Sequence, residues 1–341
     1  MWAIQQTKTK LKQISVIGSG SWATALVKIL SESKQVEQIH WWLRKEEYVR
    51  FYETYAHNPN YLSSVVFNRN KVKAYTDLEA CIAAGEGIVL ALPSAFVYDT
   101  FNRLSVAALQ DKWVVSAVKG MVPGKLQTVS EYIQEHFALP AHRIAVLSGP
   151  CHAEEVARER LSYLTLATAS EELQMQLQPL FACRYIQIVL SQDRMGIEYA
   201  AILKNIYAVA SGMANGLGYG DNFKAVLISY ALREMQAFMR SMGLPAQHAA
   251  RSAYLGDLLV TAYSQFSRNR TFGNMLGRGY SVESAQMEMN MIAEGYYAAK
   301  QIQVLNRDVQ ADMPLMQGMY EVIYEKVTPR AAFEEIVRKI N

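Results

Sequence analysis

The feature that most restricts the fold is a junction near the N-terminus. There the β-branched run ISVI at 14–17 meets Gly18-Ser19-Gly20, and a helical pattern carrying Trp22, Ala25, Leu26, Ile29 and Leu30 begins at once. Strand, glycine turn and helix in that order form the front of a dinucleotide-binding unit. Gly18 permits the tight turn, Gly20 lets the backbone approach a pyrophosphate, and the helix N-terminus offers N–H groups and positive dipole. The third position of the fingerprint is Ala23, a tolerated replacement for glycine. An ordinary glycine turn is the alternative for this motif taken alone.

Further strand-like runs at 39–43, 72–75, 88–92, 113–118, 144–147, 163–167 and 185–190 alternate with helical or loop segments, which predicts a parallel sheet. In such sheets ligands sit outside the carboxyl ends of strands. Leu92-Pro93-Ser94, Lys119-Gly120 and Ser148-Gly149-Pro150 all fall at those ends, so Lys119 and Gly149 are expected to border the same crevice as Gly18 and Gly20. The second strand ends in Arg44 and Lys45 where an acid would select the NAD ribose hydroxyl. An arginine there can accept a 2′-phosphate, so NADPH is expected as the preferred cofactor and NADH as a possible one.

After Arg194 the strand-like runs cease. Helical patterns near 195–215, 223–241, 246–252, 257–265, 281–289, 293–305 and 315–325 take over, broken by glycines at 216, 218, 220, 243, 256, 273, 277 and 279. Pro314 and Pro329 stand near helix starts. Methionines 235, 239, 242, 287, 289 and 291 are expected to fill core space. The expected architecture is therefore an α/β dinucleotide-binding, Rossmann-like N-terminal domain at 1–192 and an all-α C-terminal domain at 193–341.

Within the helical half, the stretch 195–216 holds only two charges, Glu198 and Lys204, among Ile197, Ala201, Ile206, Ala208 and Val209. Such an ammonium either snorkels out or faces something anionic. Gly256-Asp257 opens a later helix, and Ser267-Arg268-Asn269-Arg270 is a dense group of donors suited to clamping a phosphate. A solvated basic turn is the alternative.

The formal net charge of +3 and scattered basic residues do not describe a nucleic-acid or membrane surface. Three cysteines show no metal-ligand spacing with the six histidines, so neither a disulfide framework nor a metal site is expected, and a reducing cytoplasm fits. No transmembrane segment and no export signal are expected, since the best apolar stretch, 195–216, contains Glu198 and Lys204.

Together these residues resemble the NAD(P)-dependent glycerol-3-phosphate dehydrogenase family, the soluble bacterial type, over nearly the whole chain. The resemblance rests on GSGSWATAL at 18–26, NPNYL at 58–62, LALPS at 90–94, AVKG at 117–120 and SGPCHAEEV at 148–156. It continues through LKNIYAVASGMANGLGYGDN at 203–222, GDLLVT at 256–261, SRNRTFG at 267–273 and EGY at 294–296. It implies an oxidoreductase that reduces dihydroxyacetone phosphate to sn-glycerol 3-phosphate for glycerophospholipid synthesis, and it allows a homodimer. It further implies Lys204 as proton donor and acceptor, with Lys119 and Asp257 as catalytic partners. Gly149, Cys151, Asn205, Thr261, Ser267, Arg268 and Asn269 would join them around the substrate. Ser21, Trp22, Arg44, Lys119, Ala153, Arg268, Ile292 and Glu294 fall where the family contacts the dinucleotide, with Gly18 and Gly20 in the turn.

Several positions depart from the family pattern: Ala23, Cys151 for serine or threonine, His152 for phenylalanine, Tyr230 for a frequent arginine, and Tyr254-Leu255 in a usually glycine-rich approach to Asp257. A thiol donates a hydrogen bond poorly, so Cys151 is expected to weaken a substrate contact. Two rival readings are a related two-domain hydroxy-acid dehydrogenase and a nucleotide-binding regulator without turnover. The SRNR cluster argues against the first, and the presence of both Lys204 and Asp257 against the second.

Overall fold

A computed structural model describes residues 12–289 and 293–340. The strands are β1 (Lys12–Ile17), β2 (Val36–Trp42), β3 (Val72–Tyr75), β4 (Gly87–Leu90), β5 (Trp113–Ser116), β6 (Met121–Val122), β7 (Gln127–Thr128), β8 (Ile144–Ser148), β9 (Ser162–Ala167) and β10 (Ile186–Ser191). Between them run α1 (Ser21–Glu32), α2 (Glu46–Tyr55), α3 (Leu78–Ala84), α4 (Val97–Phe101), α5 (Val129–His136), α6 (Ala153–Ala157) and α7 (Glu171–Phe181). From Arg194 onward the described residues form only helices and their connections: α8 (Arg194–Gly216), α9 (Asp221–Ser241), α10 (Asp257–Tyr263), α11 (Arg268–Gly277), α12 (Val282–Glu288), α13 (Glu294–Val309), α14 (Pro314–Tyr324) and α15 (Pro329–Lys339).

Eight strands build one sheet in the order β10-β9-β8-β5-β4-β1-β2-β3. The chain reverses its direction of travel across the sheet between β1 and β4, which places a crevice at their carboxyl ends. The central strands β4, β5 and β8 are buried at every residue, as strands covered by helices on both faces must be. The expected all-parallel sheet needs correction, because β9 runs antiparallel to β8 and β10 pairs parallel with β9. Strand-like composition does not encode direction. The small antiparallel pair β6 and β7 has no counterpart among the expected strands.

The helical half departs further from the sequence expectation. Gly273 does not break a helix; it lies inside α11, which ends at Gly277. A Cβ on Gly273 would fall 1.9 Å from the Val209 carbonyl oxygen of α8, and one on Gly212 of α8 would fall 1.9 Å from the Arg270 carbonyl oxygen. Gly216 and Gly277 meet Asn274 and Met213 oxygens at 2.4 Å in the same way. The two helices thus pack backbone to backbone, and the contact compensates the roughly 1 kcal/mol each interior glycine costs a helix. Residues expected to form a helix at 246–252 are instead a 3₁₀ segment, Ala246–Ala250, followed by a π-helical turn, Ser252–Gly256, that runs straight into α10. Met235 and Met239 fill the core as expected, but Met287 is 88% exposed, and Met291 lies outside the described residues.

Candidate active site

A cleft of about 410 Å³ opens between the carboxyl ends of the central strands and the helical half. Its sheet-side wall begins at the glycine turn. Gly18 has φ +143°, and a Cβ there would meet the Ala91 oxygen at 2.3 Å, so this position tolerates only glycine. Gly18 supports the turn from behind and is not part of the cleft lining. Gly20 differs: its φ is −84° and nothing lies within 4 Å of an added Cβ. No protein contact demands a glycine there, so the bare backbone leaves space for a ligand at the N-terminus of α1. Ser21 and Trp22 occupy that first turn, which contains no acidic residue and is therefore suited to an anion.

Asn58, 1% exposed, ties the NPNYL loop to this turn by donating to the Ser19 carbonyl at 3.0 Å and to Thr24 Oγ1 at 2.8 Å. Arg44 follows β2 and lies 5.7 Å over the Phe96 ring, in the cleft wall. Lys45 turns away and pairs with Glu47 on the surface, so only Arg44 of the basic pair faces the cleft.

The floor is a cluster of buried charge. Lys204 is 4% exposed on α8, and its Nζ donates to Asp257 Oδ1 and, at 3.0 Å, to Thr261 Oγ1. Asp257 and Thr261 lie one turn apart on α10, which brings both to the same ammonium. Lys119 reaches in from the loop after β5, donating to Asp257 Oδ2 at 3.2 Å and to the Gly149 carbonyl at 3.1 Å, with its Nζ 5.7 Å over the Trp22 ring. Gly149 contributes that carbonyl from behind the lining, with φ +138° and Tyr163 oxygen 2.9 Å from a would-be Cβ.

Burial pushes the Lys204 ammonium down to about 7; Asp257 opposes the shift and the Lys119 charge adds to it. Burial alone would raise the Asp257 carboxyl, but the Lys119 and Lys204 ammonium groups outweigh it and hold that carboxyl below its usual range.

The helical wall comes from the start of α11. Ser267 caps the helix by accepting from the Arg270 N–H at 3.3 Å. Arg268 Nη2 donates to Ser21 Oγ at 3.3 Å, spanning the cleft to the glycine turn. Asn269 donates to Asn205 Oδ1 at 2.9 Å and accepts from the Gly295 N–H at 2.9 Å, while Asn205 donates to the Lys119 carbonyl at 2.8 Å. Glu294 accepts from the Ser94 N–H at 2.9 Å and from Ser94 Oγ at 2.5 Å, joining α13 to the loop after β4; burial raises its carboxyl despite those bonds.

Cys151 and Ala153 complete the lining, and burial pushes the Cys151 thiol up to about 11. The cleft therefore gathers every expected site residue except Gly18 and Gly149, which support it from behind, and Ile292, which lies outside the described residues. Arg270, the fourth member of the SRNR group, is not in the lining.

Tyr61, Phe96 and His152 are among the lining residues that the sequence reading does not place in the site. Tyr61 sits in the NPNYL motif and Phe96 two residues past the LALPS strand end, so both lay beside a signal already noted. His152 stood out only as a departure. Its ring sits in the cleft with Nε2 3.5 Å from the Val260 carbonyl, and burial first, then Lys204 and Lys119, lowers its pKa.

Comparison with known proteins gives the same picture over most of the chain. The family profile described as NAD-dependent glycerol-3-phosphate dehydrogenase N-terminus matches residues 13–174, and the corresponding C-terminus profile matches residues 193–334. A glycerol-3-phosphate dehydrogenase (NAD(P)+) of Chlorobium luteolum is 34% identical over 92% of this chain and 93% of its own length. One of Pseudomonas syringae pv. tomato is 34% identical over 97% and 95%. The crystal structure of glycerol-3-phosphate dehydrogenase from Coxiella burnetii superposes with a TM-score of 0.89 at 28% identity, covering 96% of this chain and 99% of that one. With its two-part fold and matching profiles on both sides of the cleft, this chain belongs to the NAD-dependent glycerol-3-phosphate dehydrogenase family.

Proposed function

We infer that the cleft reduces dihydroxyacetone phosphate to sn-glycerol 3-phosphate, reversibly, with NADPH or NADH as reductant. The observation that carries this reading is the buried Lys204–Asp257 pair on the floor of a cleft whose opposite wall is a glycine turn with open space before Gly20.

Gly20, Ser21 and Trp22 would hold the dinucleotide pyrophosphate through backbone N–H groups, and Arg44 favours a 2′-phosphate. When bound, the nicotinamide supplies the hydride that the carbonyl carbon accepts. Lys204 holds the proton for the carbonyl oxygen, and its lowered pKa suits transfer in either direction near neutral pH. Asp257 keeps the ammonium oriented, and Thr261 fixes a second donor direction. The Lys119 charge favours negative charge developing on the same oxygen. Arg268 suits the substrate phosphate because its planar donors can bind two oxygens at once. Asn205, Asn269 and Ser267 keep these groups in place through the bonds described above, and Cys151 borders the substrate with a weak donor.

The reading divides the chain into a nucleotide unit at 1–192 and a substrate unit at 193–341. It includes the cytoplasm as compartment, in line with three free cysteines, and a homodimer, which sedimentation would test. Among the described residues no helix is long and apolar enough to cross a membrane. The deciding assay follows NADPH and NADH oxidation with dihydroxyacetone phosphate and with unphosphorylated dihydroxyacetone. Turnover should require the phosphate; equal rates on both ketones would refute the Arg268 assignment, and no oxidation with either would refute the reduction itself.

A further inference from the structure

Outside the cleft, one cluster joins the start of the helix that carries Lys204 to the turn that precedes Asp257. Asp193 caps α8, with Oδ1 accepting from the Gly196 N–H at 2.9 Å. An added Cβ on Gly196 would lie 2.4 Å from Asp193 Oδ2 and would displace the carboxylate. That second oxygen accepts from the Tyr254 hydroxyl and lies 3.3 Å from His248 Nδ1. Tyr254 is 1% exposed and sits in the π-helical turn Ser252–Gly256, directly before Asp257. Gly256, at the end of that turn, packs on Pro150, with an added Cβ 3.6 Å from the ring.

The contacts close a ring. Asp193 starts the helix that carries Lys204; Lys204 pairs with Asp257; Asp257 follows the turn that carries Tyr254; Tyr254 returns to Asp193. Lys204 lies eleven residues along α8, roughly 16 Å from Asp193, so neither Tyr254 nor Asp193 touches the reacting groups. Among the described residues, the phenol makes the one side-chain hydrogen bond between the π turn and the start of α8. π turns cost regularity and persist where a function uses them.

We propose that Tyr254 and Asp193 are positioning residues that fix the turn before Asp257 against the start of α8, and thereby set the geometry of the Lys204–Asp257 pair. The inference rests on the reading of Lys204 as the proton donor. A misplacement of about 1 Å in such a pair costs up to about a hundredfold in rate, whereas loss of a buried phenol bond with no catalytic consequence would show only in stability.

The test uses Tyr254→Phe, which keeps the ring, and Asp193→Asn, which keeps a helix cap but has one oxygen where two are used. Each should lower kcat by about ten- to a hundredfold, leave the nucleotide affinity and the KM for dihydroxyacetone phosphate near the parental values, and shift the pH midpoint of reduction. The double variant should be no slower than the worse single one, because both break the same link. In a Lys204→Met background, Tyr254→Phe should have no further effect on turnover. Asp193→Asn carries the test if the Tyr254→Phe chain does not fold. Parental kcat with only a lowered Tm, or losses that multiply in the double variant, would overturn the proposal. A parent enzyme inactive on dihydroxyacetone phosphate would instead refute the reduction reading, and this inference with it.

Discussion

Among the acids buried in the helical half, Glu198, Glu234 and Asp257 are handled in two ways. Glu198 on α8 accepts from the Ser130 N–H at 3.1 Å and from its hydroxyl at the start of α5. Glu234 on α9 accepts from the Leu315 and Met316 N–H groups at the start of α14. Both are answered by fixed dipoles at helix N-termini, and burial raises both carboxyls, Glu234 to about 8. Asp257 is buried as deeply but is answered by two ammonium groups, and its carboxyl is held low.

The contrast separates two uses of a buried acid. An acid satisfied by backbone donors fastens one helix to another, and its protonation changes little outside. An acid shared between two lysines at the edge of a cleft controls the charge that a substrate meets.

Breaking the cleft cluster should have the largest effect. Asp257→Ala leaves two ammonium groups facing each other and should drive the proton off Lys204. Turnover at neutral pH should fall by about 10² or more, with about 3 to 5 kcal/mol lost in urea unfolding. A modest change in both would place Asp257 with the structural acids.

Next in size is cofactor choice. Arg44→Ala should weaken NADPH binding by about ten- to a hundredfold and spare NADH, because only the 2′-phosphate loses a charge-assisted contact. Fluorescence titration with each nucleotide checks this, and equal losses would remove Arg44 from that role.

The pH dependence should be opposite in the two directions of reaction. Reduction needs the Lys204 ammonium and should decline as pH rises through about 7, approaching about tenfold per unit; oxidation needs the free amine and should rise through the same range. Parallel profiles would contradict the proton assignment.

The smallest effect belongs to the other class of acid. Glu234→Gln should leave kcat unchanged and alter stability by about 1 to 2 kcal/mol. Its signature is in the slope. The folded carboxyl titrates near 8 and the unfolded one near 4.5, so between those values the native state holds the extra proton and parental stability falls as pH rises. The variant should lose that share of the slope, and a loss of turnover would show that Glu234 is not merely a fastening.

Much of this site was legible in the sequence because it lies where short-range patterns end. The glycine turn, Arg44, Lys119 and Gly149 each follow a strand-like run, and a strand end at the crevice is a position that spacing alone can locate. Lys204 was legible as a charge in an apolar helix. The parts that escaped depend on contacts distant in sequence. Gly273 reads as a break because nothing local shows that the α8 backbone fills the space where its side chain would be. The direction of β9 depends on partners rather than composition. Tyr254 appeared only as a departure, since its meaning lies in Asp193, sixty-one residues earlier.

The most direct test of the account is turnover of Lys204→Met, measured beside nucleotide affinity. Methionine keeps the length and apolar stem of lysine and suits a buried helix position, so the fold and dinucleotide binding should remain near parental. Reduction of dihydroxyacetone phosphate should fall by on the order of 10² to 10⁴, the usual share of a general acid. Near-parental turnover would contradict the central claim and leave Lys204 as another buried charge of the structural kind.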